Sequence, residues 1–130
     1  MTKKLAALIP AAGLLAMAGS LPAQTPAQAP AQPDGAALFR MRCASCHTVA
    51  PGARAVLGPS LAGITGRNAA ATAFNYSPAL KASNLAWNRA NLDRFLAGPT
   101  RMVPGTRMVI SVTDARQRAA ILDYLAKPAR

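Results

Sequence analysis

Apolar residues fall into four blocks, separated by stretches with no sustained period. The first, Leu5 to Ala18, is a continuous uncharged run behind Lys3 and Lys4. The second follows Asp34, an N-cap candidate, with Leu38, Phe39 and Met41 giving the apolar stripe of a short helix. The third, Asn88 to Leu96, sets Leu92, Phe95 and Leu96 on one side and stops at Gly98-Pro99. The fourth runs from Asp114 to about Ala126, with Thr113 or Ser111 as cap. Ala115, Ala119, Leu122 and Leu125 or Ala126 line one face of it, and Pro128 is its stop. From Pro51 to Pro78, glycines and prolines punctuate the chain too often for long elements. Met108 to Val112 is the one β-like run, and it has no partner strand. The pattern predicts an all-α fold of short helices joined by long Ω-type loops.

The first block is not part of that fold. A positive start, an apolar run and small residues after it form a secretory signal peptide, residues 1–23, with cleavage near Ala23. The competing reading is an uncleaved anchor, since Leu5 to Ala23 approaches the ~20 residues that span a bilayer. Pro10, Gly13, Gly19 and Pro22 interrupt it, which favours cleavage. Residues 24–33 continue a four-residue Pro-Ala-Gln repeat that begins at Pro22. This composition buries no core and forms an extended, solvated spacer. Residues 34–130 are then the folded domain, small and poor in aromatics.

One pentapeptide carries the chemistry. Cys43-Ala44-Ser45-Cys46-His47 uses both cysteines and the one histidine of the chain. C-x-x-C-H is the attachment signature of a c-type haem. The two thiols form thioethers to one porphyrin, and the adjacent imidazole ligates the iron. Two Cys and one His do not complete a structural zinc site. No strand-like run flanks them as a thioredoxin-type pair requires, and a disulfide across two residues would stabilise little. A haem also supplies the large apolar centre that this small domain otherwise lacks. Met41, two residues before Cys43, cannot reach the opposite face of the porphyrin. Met102 and Met108 remain as candidates for a second, sulfur ligand.

With its other motifs the chain resembles the class I c-type cytochromes, close to the mitochondrial cytochrome c and bacterial cytochrome c2 group. The resemblance covers Asp34 to Lys127 and rests on C-A-S-C-H at 43–47, L-G-P-S-L at 57–61 and G-R at 66–67. Tyr76, Trp87, P-G-T-R-M at 104–108 and I-L-D-Y-L at 121–125 complete it. It implies one covalent haem c with iron between His47 and Met108, Met102 being a core filler. It further implies that the Pro59 carbonyl accepts from His47, that Arg67, Tyr76 and Trp87 serve the haem propionates, and that Gly35, Phe39, Leu122 and Tyr124 or Leu125 join the first and last helices. A His/Met pair favours ferrous iron and leaves no open site, so the implied activity is one-electron transfer and not catalysis. The implied protein is a monomeric periplasmic carrier in a respiratory or dehydrogenase chain. A subunit of a larger oxidoreductase, or a haem enzyme with a labile Met, are the competing classes.

Charge sharpens the partner. The chain is +11; without Lys3 and Lys4, thirteen basic residues face Asp34, Asp93, Asp114 and Asp123, or +9. The arginines are scattered and form no run, which excludes nucleic acid as the natural partner. Arg42, Arg54, Arg101 and Arg107 around the haem edge suit docking to acidic protein surfaces. Solubility charge alone is the plainer account.

Three departures from the family are specific to this chain. Phe95 stands where a Tyr is common and Leu80 where an Asn is common, so the Met side is drier. Arg107 replaces the usual Lys before Met108. A deprotonated Lys displaces Met from iron at high pH, whereas a guanidinium does not deprotonate in proteins. Alkaline ligand exchange is therefore weakened. A pH titration of the ferric sulfur-to-iron charge-transfer band checks this, with the band expected to persist at ordinary alkaline pH.

Overall fold

The computed structural model describes residues 31–53 and 57–127; the expected signal peptide, residues 24–30 of the spacer, Arg54 and Pro128 lie outside them. Asp34 opens the first helix, α1 (Gly35–Arg42), by accepting from the Ala36 N–H. Leu38 and Phe39 are buried on it, but Met41 is 73% exposed and leaves the predicted stripe. Two residues along a helix is about 200°, so Met41 lies on the side opposite Phe39. The short α2 (Pro78–Ala82) is capped by Ser77, whose hydroxyl accepts from the Leu80 N–H, with Pro78 in the first turn. α3 (Arg89–Ala97) is capped by Asn88 and buries Leu92, Phe95 and Leu96, as its spacing predicts.

Two outcomes differ from the pattern. Gly98-Pro99 ends α3 but also starts a further turn, α4 (Pro99–Met102), because proline is favoured at a first helical position. α2 and α4 each bury too few residues to give a periodic signal. The last helix, α5 (Ala115–Leu125), is capped by Asp114 and not by Thr113 or Ser111. One carboxylate oxygen accepts from the N–H groups of Arg116 and Gln117. Those bonds hold the Asp114 carboxyl below its usual pKa range, and the neighbouring Arg116 and Arg118 add to the effect. The cap therefore contributes stability above the ordinary carboxylate range and loses it as pH falls through the lowered value. The buried face of α5 is Ala120, Ile121, Leu122 and Leu125, rotated from the predicted one because it packs on two helices, α1 and α3.

α1 and α5 approach at backbone distance. A Cβ on Gly35 would overlap the Ala120 carbonyl oxygen and lie 3.0 Å from Tyr124 Cβ. Phe39 and Tyr124 meet beside it with ring centroids 5.4 Å apart. Ile121, with no exposed surface, and Leu122 extend the core toward Trp87 and Phe95, whose tilted rings meet with centroids 5.0 Å apart. Full burial of a residue such as Ile121 is worth about 2 kcal/mol.

The rest is loop, positioned by main-chain bonds. The Asn68–Ala86 bridge is the one strand-like pairing among the described residues. Met108 to Val112 is extended without a partner strand. No described helix is long and apolar enough to cross a membrane.

The helix crossing gives a direct prediction. Gly35→Ala drives a methyl into main chain that has no rotamer to yield, so a loss of about 3 kcal/mol is expected, at the upper end for overpacking. Urea unfolding of the two proteins measures it.

Candidate functional site

α1 delivers the pentapeptide. Its backbone continues as one tight turn, with Cys46 N–H and His47 N–H both donating to the Cys43 carbonyl, at 3.0 and 2.8 Å. Both thiols are half-buried and free of disulfide. Burial pushes the Cys43 thiol up, against the opposing charge of Arg42, with Cys46 adding to the rise. Among the described residues no three His, Cys, Asp or Glu side chains converge as a metal-binding group.

A second segment is laid against that turn. Gly58 N–H donates to the Cys46 carbonyl at 2.9 Å, and Leu61 N–H to the Thr48 carbonyl at 2.8 Å. This registers Pro59 behind the histidine, and His47 Nδ1 lies 2.8 Å from the Pro59 carbonyl oxygen. A carbonyl only accepts, so Nδ1 carries the proton and Nε2 is left with its lone pair for a metal. The approach depends on Gly58. A Cβ there would stand 2.5 Å from His47 Cε1 and 2.7 Å from Nδ1. The glycine is thus a cradle for the ring. Gly58 lay inside the quoted L-G-P-S-L motif, but sequence reasoning gave it no role.

The other predicted residues collect around one apolar cluster. Cys43, Leu61, Leu80, Met102 and Met108 are partly buried against the core formed by Ile64, Trp87, Phe95, Leu96 and Val103. Leu80 and Phe95 present hydrocarbon there, as expected from their types. Met108 follows a turn in which Thr106 is buried and its N–H donates to the Val103 carbonyl at 3.0 Å. Gly105, with φ +86°, makes that turn possible. Arg107 reaches across to the Asn75 carbonyl at 2.6 Å and holds the turn from the other side.

Of the three residues expected to serve the propionates, the main chains of Arg67 and Trp87 are adjacent, and Tyr76 has its own partners. Trp87 N–H donates to the Arg67 carbonyl at 2.7 Å, and Gly66 N–H to the Trp87 carbonyl at 2.9 Å, so the two chains run side by side. Tyr76 and Trp87 are buried. The Tyr76 hydroxyl is hydrogen-bonded to Thr72 Oγ1, and Arg67 Nη2 donates to the Ser60 carbonyl at 3.0 Å. Thr72 and Ser60 were not legible as partners, since short hydroxyl residues carry no positional signal. The set as a whole suits an iron porphyrin. It offers two thiols one turn apart, an oriented imidazole and a thioether on the rim of an apolar cluster.

Comparison with known proteins points to one family. The family model described as Cytochrome c matches residues 33–128. The chain is 39% identical over 92 residues to cytochrome c of Theileria annulata, covering 70% of this chain and 80% of that one. It is 37% identical over 97 residues to cytochrome c2 of Rhodoblastus acidophilus, covering 73% and 91%. The solved structure of cytochrome cH from Methylobacterium extorquens superposes with a TM-score of 0.65 at 35% identity, covering 70% of this chain and 92% of that chain.

Gly58→Ala tests the cradle. The added methyl displaces the His47 ring and breaks its bond to Pro59, so the yield of haem-loaded protein should fall several-fold. Haem absorbance per mole of purified chain measures it, with Ala62→Gly as a nearby control expected to load normally.

Proposed function

The chain belongs to the cytochrome c family, and from that premise we propose that it is an exported one-electron carrier with its haem iron held between His47 and Met108. The family membership makes it a haem-bearing electron-transfer protein whose cofactor is haem c, covalently attached. The proposal concerns the ligands, the location and the partners. The observation that carries it is the 2.8 Å contact between His47 Nδ1 and the Pro59 carbonyl, because it leaves Nε2 as a preset iron ligand.

When bound, the haem supplies a one-electron ferric/ferrous couple. The protein does the rest. Cys43 and Cys46 fix the group covalently, so it is not lost with each change of charge. His47 is held in one tautomer and one orientation, and the neutral sulfur of Met108 favours the ferrous form. Leu80, Phe95 and the surrounding core exclude water on the sulfur side, which keeps reorganisation on electron transfer small. Arg67, Tyr76 and Trp87 would serve as donors to the propionates, since buried carboxylates without partners are unfavourable. With His47 and Met108 both holding the iron, no position would be left on it for a substrate.

The reading of partners follows from where the acids are used. Asp34 and Asp114 cap helices, while Asp123 pairs with Arg89 at 2.7 Å and Asp93 with Arg118 at 2.8 Å. Arg42, Arg101 and Arg107 are exposed and have no carboxylate partner among the described residues. Such a surface suits transient docking to acidic redox proteins. Residues 1–23 serve as the export signal and 24–33 as a spacer, which places the mature carrier in the periplasm.

Optical spectra of the mature protein test the reading. The expected results are covalent haem, a sulfur-to-iron band in the ferric form and no carbon monoxide binding to the native ferrous form. Met108→Ala should abolish the band and admit carbon monoxide. Electron transfer to an acidic partner should slow as salt is raised. Carbon monoxide binding by the unmodified protein would overturn the carrier reading.

A further inference from the structure

Arg118 differs from the other arginines in what it touches. Its side chain is only 13% exposed and it joins three parts of the chain. Nε donates to Asp93 Oδ1 on α3 at 2.8 Å. Nη1 donates to two consecutive main-chain carbonyls, Val112 at 3.1 Å and Thr113 at 2.8 Å. The ion pair accounts for docking α5 on α3. It does not account for the two carbonyls, which end the segment that begins at Met108.

Apart from the packing of Met108 on the core, that segment has its hydrogen-bond anchors at its two ends. On one side Arg107 donates to the Asn75 carbonyl at 2.6 Å. On the other, Val112 is buried and donates its N–H to the Leu96 carbonyl at 2.8 Å, beside the bonds from Arg118. Between them Val109 and Ile110 are 70% and 55% exposed, and the backbone of residues 108–111 makes no hydrogen bond among the described residues. A stretch this short, without internal bonds, takes its position from its two clamps. Charge-assisted bonds from a guanidinium are about twice as strong as neutral ones, and the planar fork serves several acceptors at fixed angles.

We propose that Arg118 is a positioning residue for Met108: through the Val112 and Thr113 carbonyls it holds the 108–113 segment closed, and so sets how readily the thioether leaves iron. This rests on the reading of Met108 as the sulfur ligand. Loosening the clamp raises the population in which Met108 is withdrawn. An external ligand that needs the vacated position then binds with an apparent affinity that rises in proportion.

Imidazole binding to the ferric holoprotein at neutral pH reads that population. Arg118→Lys keeps a positive charge for Asp93 but lacks the fork that also reaches both carbonyls. Asp93→Asn removes the ion pair and leaves the carbonyl bonds. Arg118→Lys should bind imidazole about tenfold more tightly or better, within the usual range of coupling between sites. Asp93→Asn should lower the melting temperature yet stay within about twofold of the unmodified protein in imidazole affinity, because the clamp survives. Equal affinities for Arg118→Lys and the unmodified protein overturn the proposal. So does an Asp93→Asn protein that matches Arg118→Lys, since helix docking would then be the cause.

If Arg118→Lys does not fold, native-state hydrogen exchange on the unmodified holoprotein decides. The Val112 amide should exchange together with the amides of α5. Exchange by an earlier opening shared with Thr106 would overturn the clamp. A ferric protein that lacks the sulfur-to-iron band removes the ligand assignment and this inference together. A band that is present, with Arg118→Lys unchanged in imidazole affinity, removes the clamp alone.

Discussion

The backbone contact between α1 and α5 at Gly35 is the constraint on which the arrangement of the site depends. α1 is only two turns long, too short to persist by its own propensity. It persists because the missing Cβ lets its first turn sit on the Ala120 carbonyl, where Phe39 and Leu38 can then be buried. The cysteine turn begins where α1 ends, so the direction of α1 is the direction in which Cys43, Cys46 and His47 are presented. α5 in turn is fixed to α3 by Ile121, Leu122 and the Arg118–Asp93 pair, and α3 carries Phe95 and Leu96 into the cluster that Met108 touches. His47 and Met108 are thus both referred to one helix pair, though they are 61 residues apart in sequence.

Around that frame, polar groups do the work that sheets would do elsewhere. The loop from 57 to 61 is registered on the cysteine turn by two main-chain bonds and the His47–Pro59 bond, and the 66–69 stretch is registered on 85–87 by three. Side-chain bonds to carbonyls finish the task at Arg67, Arg107 and Arg118. Exposed ion pairs such as Arg89–Asp123 contribute little to stability. The arginines that matter to the fold are those whose forks reach main chain. Four carboxylates suffice because each is engaged in a cap or a pair.

What could be read from the sequence follows from how each feature is encoded. Leu92, Phe95 and Leu96 repeat at helical spacing, so α3 was predictable nearly to the residue. The pentapeptide is contiguous, so its chemistry needed no fold, and the resemblance carried Pro59 to the correct side of His47. The Asp114 cap was displaced from Thr113 because both are good caps, and only the geometry of the last turn chooses between them. Met41 was placed on the α1 stripe because a three-member apolar set over one turn fits two faces equally well. α2 and α4 escaped because a four- or five-residue helix has no period to detect. Gly58 and Arg118 escaped for a different reason: what each does depends on a partner brought close by the fold, and composition says nothing of partners.

The same distinction separates the two halves of the site. The histidine side is rigid: a covalent tether at two points, a ring lying on Gly58, a proton committed to Pro59. The methionine side has no such closure. Met108 sits in a loop whose turn is buried at Thr106, yet Val109 and Ile110 are largely exposed. Local openings in proteins are drawn from segments of this kind, with exposed apolar groups and few main-chain bonds. Leu80 and Phe95 present only hydrocarbon to the cluster that Met108 touches, so neither side chain can hydrogen-bond the thioether. Under the proposed ligation, retention of Met108 rests on packing against the core and on the two arginine clamps at the loop ends. In the proposed carrier one ligand is kept by construction and the other by confinement.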